Sequence, residues 1–356
     1  MQFFETAEAM GHEQVLHCFD KQTGLRAIIA IHDSRLGSAM GATRLYPYAD
    51  TAAALKDALR LSRGMTYKAA CAGIPVGGAK AVIIADPAQK TPAMLRAYAR
   101  FVDKLGGLFV TGQDMNLTPD DVRIMATVTE HVVGMEERGG GPGPLTARGV
   151  FAGLKAAVRH RFSSDDLVGL RVAVQGLGAV GANLCRRLHE VGASLVVTDV
   201  REAQCARMAE LYGASIVAPE AIYGQDADIF APCALGGTLN VDTIPQLKAK
   251  VVSGAANNQL GDEVEDGARL SDRGILYAPD YVINAGGILN VYHEKTGYND
   301  AHVLAQIDGI GATLAEIFLR ADASGITTHE ASMQLATHRI ERALEKQQGP
   351  ALFATA

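Results

Sequence analysis

An apolar run that stops at a G-x-G-x-x-G spacing and restarts as a helix constrains this chain more than any other feature. It is LRVAVQGLGAVG (170–181), followed by ANLCRRLHEVG. The spacing alone arises by chance, but between a strand and a helix it has a mechanical meaning. Gly176 allows a tight turn, Gly178 lets the backbone approach a pyrophosphate, and Gly181 lets helix and strand pack closely. The helix N-terminus offers unpaired N–H groups and the positive end of its dipole to that pyrophosphate. Asp199 ends the next apolar run, where a carboxylate accepts hydrogen bonds from ribose hydroxyls. A 2′-phosphate would meet negative charge there, so NAD is favoured over NADP, although Arg201 lies close enough to blur the preference. The plain alternative is a glycine-rich turn with no ligand.

The alternation continues through ASLVVTD, REAQCARMAELYG, ASIVAP, ADIFAPC and VVSGAA, which read as the strands and crossover helices of a parallel sheet. ADIFAPCALGG (227–237) and SGAANNQL (253–260), the latter with Asn257, place small residues and amides after strands, where an open α/β sheet binds its ligand. PDYVINAGGILNVY (279–292) repeats the design, and the Asn284 amide suits the carboxamide of a nicotinamide. Each of these, taken alone, reads equally well as an ordinary polar loop residue.

At 356 residues the chain exceeds what one hydrophobic core usually supports. Upstream, LRAIIAIHD (25–33) reads as a strand and DTAAALKDALRLSRGM (50–65) as a helix capped by Asp50 or Thr51. AVIIAD (81–86) reads as a buried strand and LFVTGQD (108–114) as a strand running into a loop. Thr91-Pro92 and Thr118-Pro119 each open a helix with a cap followed by proline. ERGGGPGPLT (137–146) punctuates the pattern, and a long helix from about 147 runs through His160. The stretches 300–322 and 329–346 read as helical. The expected fold class is α/β in two domains, with residues 1–136, 137–325 and a C-terminal helix in 326–356 packing back towards the first domain.

A net charge of −6 argues against nucleic acid as a partner. The five cysteines are far apart with no C-x-x-C, so neither a zinc site nor a disulfide framework is expected. The histidines form no H-E-x-x-H, and His12 and His17 are five apart, off one helical face, so no metal is expected. The opening MQFFETAEAMGHE lacks a basic n-region, and no apolar run approaches the 18 or more residues of a membrane span. The expectation is a reduced, cytoplasmic, globular protein with no membrane partner.

LSRGMTYKAACAGIPVGGAK (61–80) holds two lysines in unusual company: Lys68 follows Met-Thr-Tyr, and Lys80 ends a Gly-Gly-Ala turn before AVIIAD. Solvated side chains are the plain reading. The alternative is a pair of cations for a substrate, with a nearby like charge and burial pushing one lysine below its usual value of ~10.4.

GMTYKAACAGIPVGGAK, TGQDMN, GLGAVG, FAPCALGG, GAANNQL and APDYVINAGG occur in that order. Together they resemble the amino acid dehydrogenase family of glutamate, leucine, valine and phenylalanine dehydrogenases, from about residue 10 to 345. The resemblance implies a substrate-binding and oligomerisation domain, a Rossmann-type NAD domain and an active-site cleft between them. It implies that Lys68 binds the substrate α-carboxylate, Lys80 is the catalytic acid/base and Asp114 the catalytic aspartate. It further offers Met40, Gly41, Met65 and Val291 as pocket residues, for which core packing is the plain reading, and Thr146 as a neighbour of the nicotinamide amide. The implied reaction converts an L-amino acid, NAD and water to a 2-oxo acid, ammonia and NADH, in a homo-oligomer. Within that family, further resemblance at MGHEQVL, AMGATR, CAGIPVGG and GQDMN implies tryptophan as the first expected substrate, with leucine, valine or phenylalanine next.

Two departures narrow this. The region near Met40–Gly41 is uncharged where glutamate dehydrogenases carry a lysine for the side-chain carboxylate, so an acidic substrate is not expected. Most of the family has three glycines before the catalytic lysine, whereas this chain has Ala79; the methyl costs little at negative φ and strains the turn at positive φ. A catalytically silent NAD-binding regulator would have lost a lysine or Asp114, and all three are present. A hydroxy acid dehydrogenase would show a histidine–carboxylate pair with an arginine clamp, and no such trio is visible.

Overall fold

In the computed structural model, which describes residues 3–135 and 141–348, the chain forms two α/β units. Residues 3–135, Glu294–Thr296 and 336–348 make the first; residues 141–293 and Gly297–Leu335 make the second. The part of the glycine-proline punctuation at 137–140 lies outside the described residues.

The first unit is built on a six-stranded mixed sheet. Its strands are β1 (Gln14–Asp20), β2 (Leu25–Asp33), β3 (Ala39–Met40), β4 (Thr43–Tyr46), β5 (Gly77–Ile84) and β6 (Phe109–Val110). The order is β1-β2-β5-β3-β6, with β4 also paired to β5. β5 runs antiparallel to β2 and parallel to β3 and β4. Alternation along β5 sends Ala79, Ala81 and Ile83 into one core with Tyr98 and Phe109, while Val82 joins Ile28, Ala30 and Leu59 on the opposite face. That second face is covered by the helix Thr51–Ala72. Asp50 caps this helix by accepting from the Ala53 N–H, and Gly73 ends it in the left-handed conformation. The helix therefore continues about two turns past the expected stretch, and carries both Met65 and Lys68.

The second unit is a six-stranded, wholly parallel sheet. Its strands are β7 (Arg171–Gln175), β8 (Ser194–Thr198), β9 (Ser215–Ile216), β10 (Ile229–Pro232), β11 (Val251–Val252) and β12 (Leu276–Tyr277). The order β12-β11-β10-β7-β8-β9 reverses at β7, which makes the β7/β10 boundary the switch point of a Rossmann sheet. The helix Pro142–Phe162 begins earlier than the sequence suggests, because proline is tolerated in a first turn that has no N–H partners to lose. It packs against Ile310–Ser324 so closely that a Cβ at Gly153 would lie 2.5 Å from the Leu314 side chain.

The stretch Asp300–Ser324 is, by length and composition, long and apolar enough to cross a membrane, contrary to the expectation from sequence. It is two helices, Asp300–Asp308 and Ile310–Ser324, and its Val303, Ile307, Leu314, Ile317 and Phe318 are buried in the second unit. The core helix of a globular domain has the same composition.

Candidate active site

Lys80 does not follow a turn. Gly77, Gly78 and Ala79 are already strand, and the reason for the glycines is the approach of neighbours. A Cβ at Gly77 would lie 2.1 Å from the Asp33 carbonyl oxygen, and one at Gly78 would lie 2.1 Å from the Thr66 nitrogen of the covering helix. Ala79 needs no such clearance. It is fully buried in the apolar core on the other face and absent from the positive-φ positions, so its methyl packs without strain.

Two residues beyond Gly78 and on the same face, Lys80 is 5% exposed. Its Nζ lies 2.5 Å from Asp114 Oδ2. Asp114 stands in the loop after β6, where Asn116 adopts a left-handed φ of 62° and donates from its amide to the Leu45 carbonyl. Burial alone would raise the Asp114 carboxyl, but Lys80 and Arg44 outweigh it and hold the group down at about 2. Arg44, on β4, donates from Nε to Asp114 Oδ2 at 3.3 Å and from Nη1 to Asp57 Oδ2 at 3.0 Å. Tyr48 donates its hydroxyl to the same Asp57 oxygen. The sequence does not single out Arg44, Asp57 or Tyr48; the available signal is a charge directly after a threonine in AMGATR.

The other candidates of this unit surround that pair in the chain. Lys68 and Met65 are half-buried and lie three residues apart on one helical face. Met40 is buried at the end of β3. Gly41 is fixed by backbone, since a Cβ there would lie 1.9 Å from the Ala79 carbonyl oxygen. Beneath the helix, His32 Nδ1 lies 2.9 Å from Thr66 Oγ1 and His12 Nε2 lies 2.8 Å from Ser62 Oγ.

In the second unit the three glycines divide the work. Gly176 has φ +93° and no room for a Cβ, which would lie 2.7 Å from that of Ala234. A Cβ at Gly181 would lie 2.0 Å from the Gly176 carbonyl oxygen. Gly178, alone of the three, has nothing within 4 Å, at the N-cap of Ala179–Glu190, so the open side of the turn faces the helix N-terminus. Asp199 Oδ2 accepts from the Leu177 N–H at 2.6 Å and Oδ1 from Arg201 Nε at 3.0 Å. The Arg201 hydrogen bond leads the effects that hold this carboxyl down at about 2.

Asn284 donates from Nδ2 to Asn257 Oδ1 at 2.7 Å and to the Ala255 carbonyl at 3.0 Å, which joins two of the candidates. Its own Oδ1 is buried without a partner. A buried acceptor left open is costly unless a donor arrives, and a carboxamide N–H is such a donor. Thr146 sits beside the following turn, its Oγ1 3.2 Å from where a Gly287 Cβ would be. Val291 is half-buried on the helix Gly286–Thr296. A dinucleotide therefore fits the residues present: an open glycine, a helix N-terminus, a carboxylate at the strand end and an unsatisfied amide oxygen. Among the described residues no group of three or more His, Cys, Asp or Glu could hold a metal.

Residues 12–131 match the family described as Glu/Leu/Phe/Val dehydrogenase, dimerisation domain, and residues 197–348 match Glutamate/Leucine/Phenylalanine/Valine dehydrogenase. The chain is 58% identical to L-tryptophan dehydrogenase of Nostoc punctiforme over 340 residues, 96% of each protein. It is 48% identical to leucine dehydrogenase of Bacillus subtilis, over 96% of this chain and 95% of that one. The crystal structure of L-tryptophan dehydrogenase from Nostoc punctiforme superposes with a TM-score of 0.83 at 55% identity, covering 96% of this chain and 99% of that one.

Proposed function

The chain belongs to the glutamate/leucine/phenylalanine/valine dehydrogenase family, and on that footing we propose that it deaminates L-tryptophan with NAD as its oxidant. It is an amino acid dehydrogenase, an oxidoreductase acting on CH–NH2 with a nicotinamide dinucleotide. The observation that carries the reading is the Lys80–Asp114 pair, a buried ammonium on β5 held 2.5 Å from a half-buried carboxylate in the loop after β6.

The bound dinucleotide supplies the acceptor for the hydride that leaves the substrate Cα. Lys68 would hold the α-carboxylate, its half-buried ammonium neutralising a charge that the apolar surroundings would otherwise disfavour. Loss of hydride leaves an iminium carbon open to water. Lys80 Nζ would take the proton from that water, and Asp114 would exchange protons with the departing nitrogen until ammonia leaves. A positioned base and acid of this kind contribute on the order of 10²–10⁴ in rate.

For the substrate, the identity to L-tryptophan dehydrogenase supports an aromatic side chain, and the uncharged Met40, Gly41 and Met65 are consistent with an apolar one. Val291 is the pocket candidate of the second unit. Leucine, valine and phenylalanine are the competing substrates. For the cofactor, Asp199 is ionised at the strand end and its charge opposes a 2′-phosphate, while Arg201 is already paired to it. A homo-oligomer assembled through the first unit is supported by the match to a dimerisation domain.

The test is NADH formation at 340 nm with tryptophan, phenylalanine, leucine, valine and glutamate in turn, repeated with NADP and with Lys80→Ala. Tryptophan should lead with NAD, and the variant should lose on the order of 10²–10⁴ in kcat. Leucine or valine in the lead would move the protein to the branched-chain group. Full activity in the variant would remove Lys80 from the mechanism.

A further inference from the structure

We propose that Arg44 is a positioning residue of this reaction: it ties the Asp114 carboxylate to Asp57 and keeps it in place while Lys80 turns to the substrate. The inference rests on the reading of Lys80 and Asp114 as the proton-transfer pair.

Both cations meet the same oxygen. Lys80 Nζ and Arg44 Nε lie 2.5 and 3.3 Å from Asp114 Oδ2. They differ in one property that matters during turnover. A lysine that trades protons changes its charge, whereas a guanidinium stays positive throughout. Without a second cation, Asp114 would lose its charged partner each time Lys80 gave up a proton or swung away, leaving a half-buried carboxylate with no cation beside it.

Arg44 is placed to prevent this because it is itself held. Its side chain is 15% exposed, and β4 fixes its backbone beside β5 in the register Arg44 to Val82. Its Nη1 is bonded to Asp57, whose carboxylate also takes the Tyr48 hydroxyl. Asp57 sits on the helix Thr51–Ala72, eleven residues and about three turns before Lys68, so both lie on one face. One chain of contacts thus runs from the helix that carries Lys68, through β4, to the carboxylate beside Lys80. The charged and titratable groups facing Asp114 are Lys80 from β5 and Arg44 from β4, with Asp57 and Tyr48 beyond Arg44; the Met115 N–H also faces it.

The experiment is a double-mutant cycle of Arg44→Met and Asp114→Asn, reading kcat, amino acid KM and urea stability. Arg44→Met should lower kcat by about tenfold to a hundredfold, as expected when a reacting group is displaced. The amino acid KM should move less than about twofold, because carboxylate binding is left intact. In the Asp114→Asn background the same substitution should cost nothing further, since residues acting through one another are not additive. The acid limb of kcat/KM should move to higher pH in Arg44→Met and stay in Arg44→Lys, which keeps the charge. Additive losses, an unmoved acid limb, or wild-type kcat in Arg44→Met would each overturn the proposal. If Arg44→Met does not fold, the cycle is run with Arg44→Lys, whose single nitrogen cannot bridge Asp114 and Asp57 as the guanidinium does, and additive losses there overturn the proposal equally. Asp114→Asn with full activity would instead remove the proton-transfer reading on which the proposal stands.

Discussion

Two glycine-rich stretches sit beside the two halves of the chemistry, and they use glycine for opposite ends. In the first unit, Gly77 and Gly78 are closed in by protein, with the Asp33 carbonyl and the Thr66 backbone where a Cβ would be. In the second, Gly176 and Gly181 are closed in the same way, but Gly178 opens onto empty space. The first stretch brings a helix down onto a strand so that the buried Lys80 meets a half-buried charge cluster. The second leaves one surface of backbone bare. The polar groups differ in parallel: Lys80, Asp114, Arg44 and Asp57 are bonded to one another, while Asn284 Oδ1 is buried with no partner. A site for chemistry is satisfied from within, and a site for a dinucleotide keeps acceptors and clearance in reserve.

The sharpest way to break the contrast is Gly78→Ala. The methyl would meet the Thr66 backbone, so the helix must lift, with a loss of about 3 kcal/mol in urea denaturation and of activity with it. A stable, active variant would mean the helix has slack that the geometry does not show.

Acid should separate the units next. Burial, ahead of the neighbouring His32, holds His12 down at about 4, and burial also lowers His32. The neutral ring is the folded form in each, so their contribution is complete above the unfolded value near 6.5 and is lost as pH falls below it, for His12 down to about 4. With solvent screening of the partly exposed ring allowed for, the cost for His12 is on the order of 2 kcal/mol at pH 4. Asp199, held at about 2, contributes above the unfolded carboxylate value and is lost only below it. Hydrogen exchange at about pH 4.5 should therefore show Thr51–Ala72 opening while the turn at Gly176–Gly181 stays protected. Simultaneous opening would contradict the assignment.

Gly178→Ala should do the reverse of Gly78→Ala. With open space around it, stability should stay within about 0.5 kcal/mol. The Kd for NAD, read by fluorescence titration, should rise about tenfold, equivalent to about 1.4 kcal/mol. The smallest effect belongs to Ala79→Gly, which restores a third glycine and removes a buried methyl. It should cost about 0.5–1 kcal/mol of stability with turnover unchanged.

These cases also mark what can be read from the sequence. The β7 strand, the glycine turn and the helix after it are legible because their logic is local, contained in LRVAVQGLGAVG itself. Leu25–Asp33 and the proline-opened helices are legible for the same reason. Gly77-Gly78-Ala79 reads as a turn and is a strand, because glycine signals a turn only when its own conformation demands it. Here the demand comes from Asp33 and Thr66, residues distant in the chain. The same distance hides Arg44, whose partners Asp57 and Asp114 lie on a helix and a loop. Ala79 shows the converse, since only the fold reveals that the third position has room.

Asp199 holds the Leu177 N–H through a bond internal to the protein. The glycine turn is thus already shaped, and an arriving dinucleotide would not have to supply the ordering entropy of that loop. An enzyme that must shed a spent cofactor and take up a fresh one on every cycle gains from such a latch. Association can be fast, and the cost of displacing Arg201 from the carboxylate offsets part of the affinity that a preformed turn adds. The Arg201 guanidinium covers both oxygens of the same carboxylate from an exposed side chain, so a ribose would compete with a group that can swing out into solvent while the Leu177 N–H stays on Oδ2.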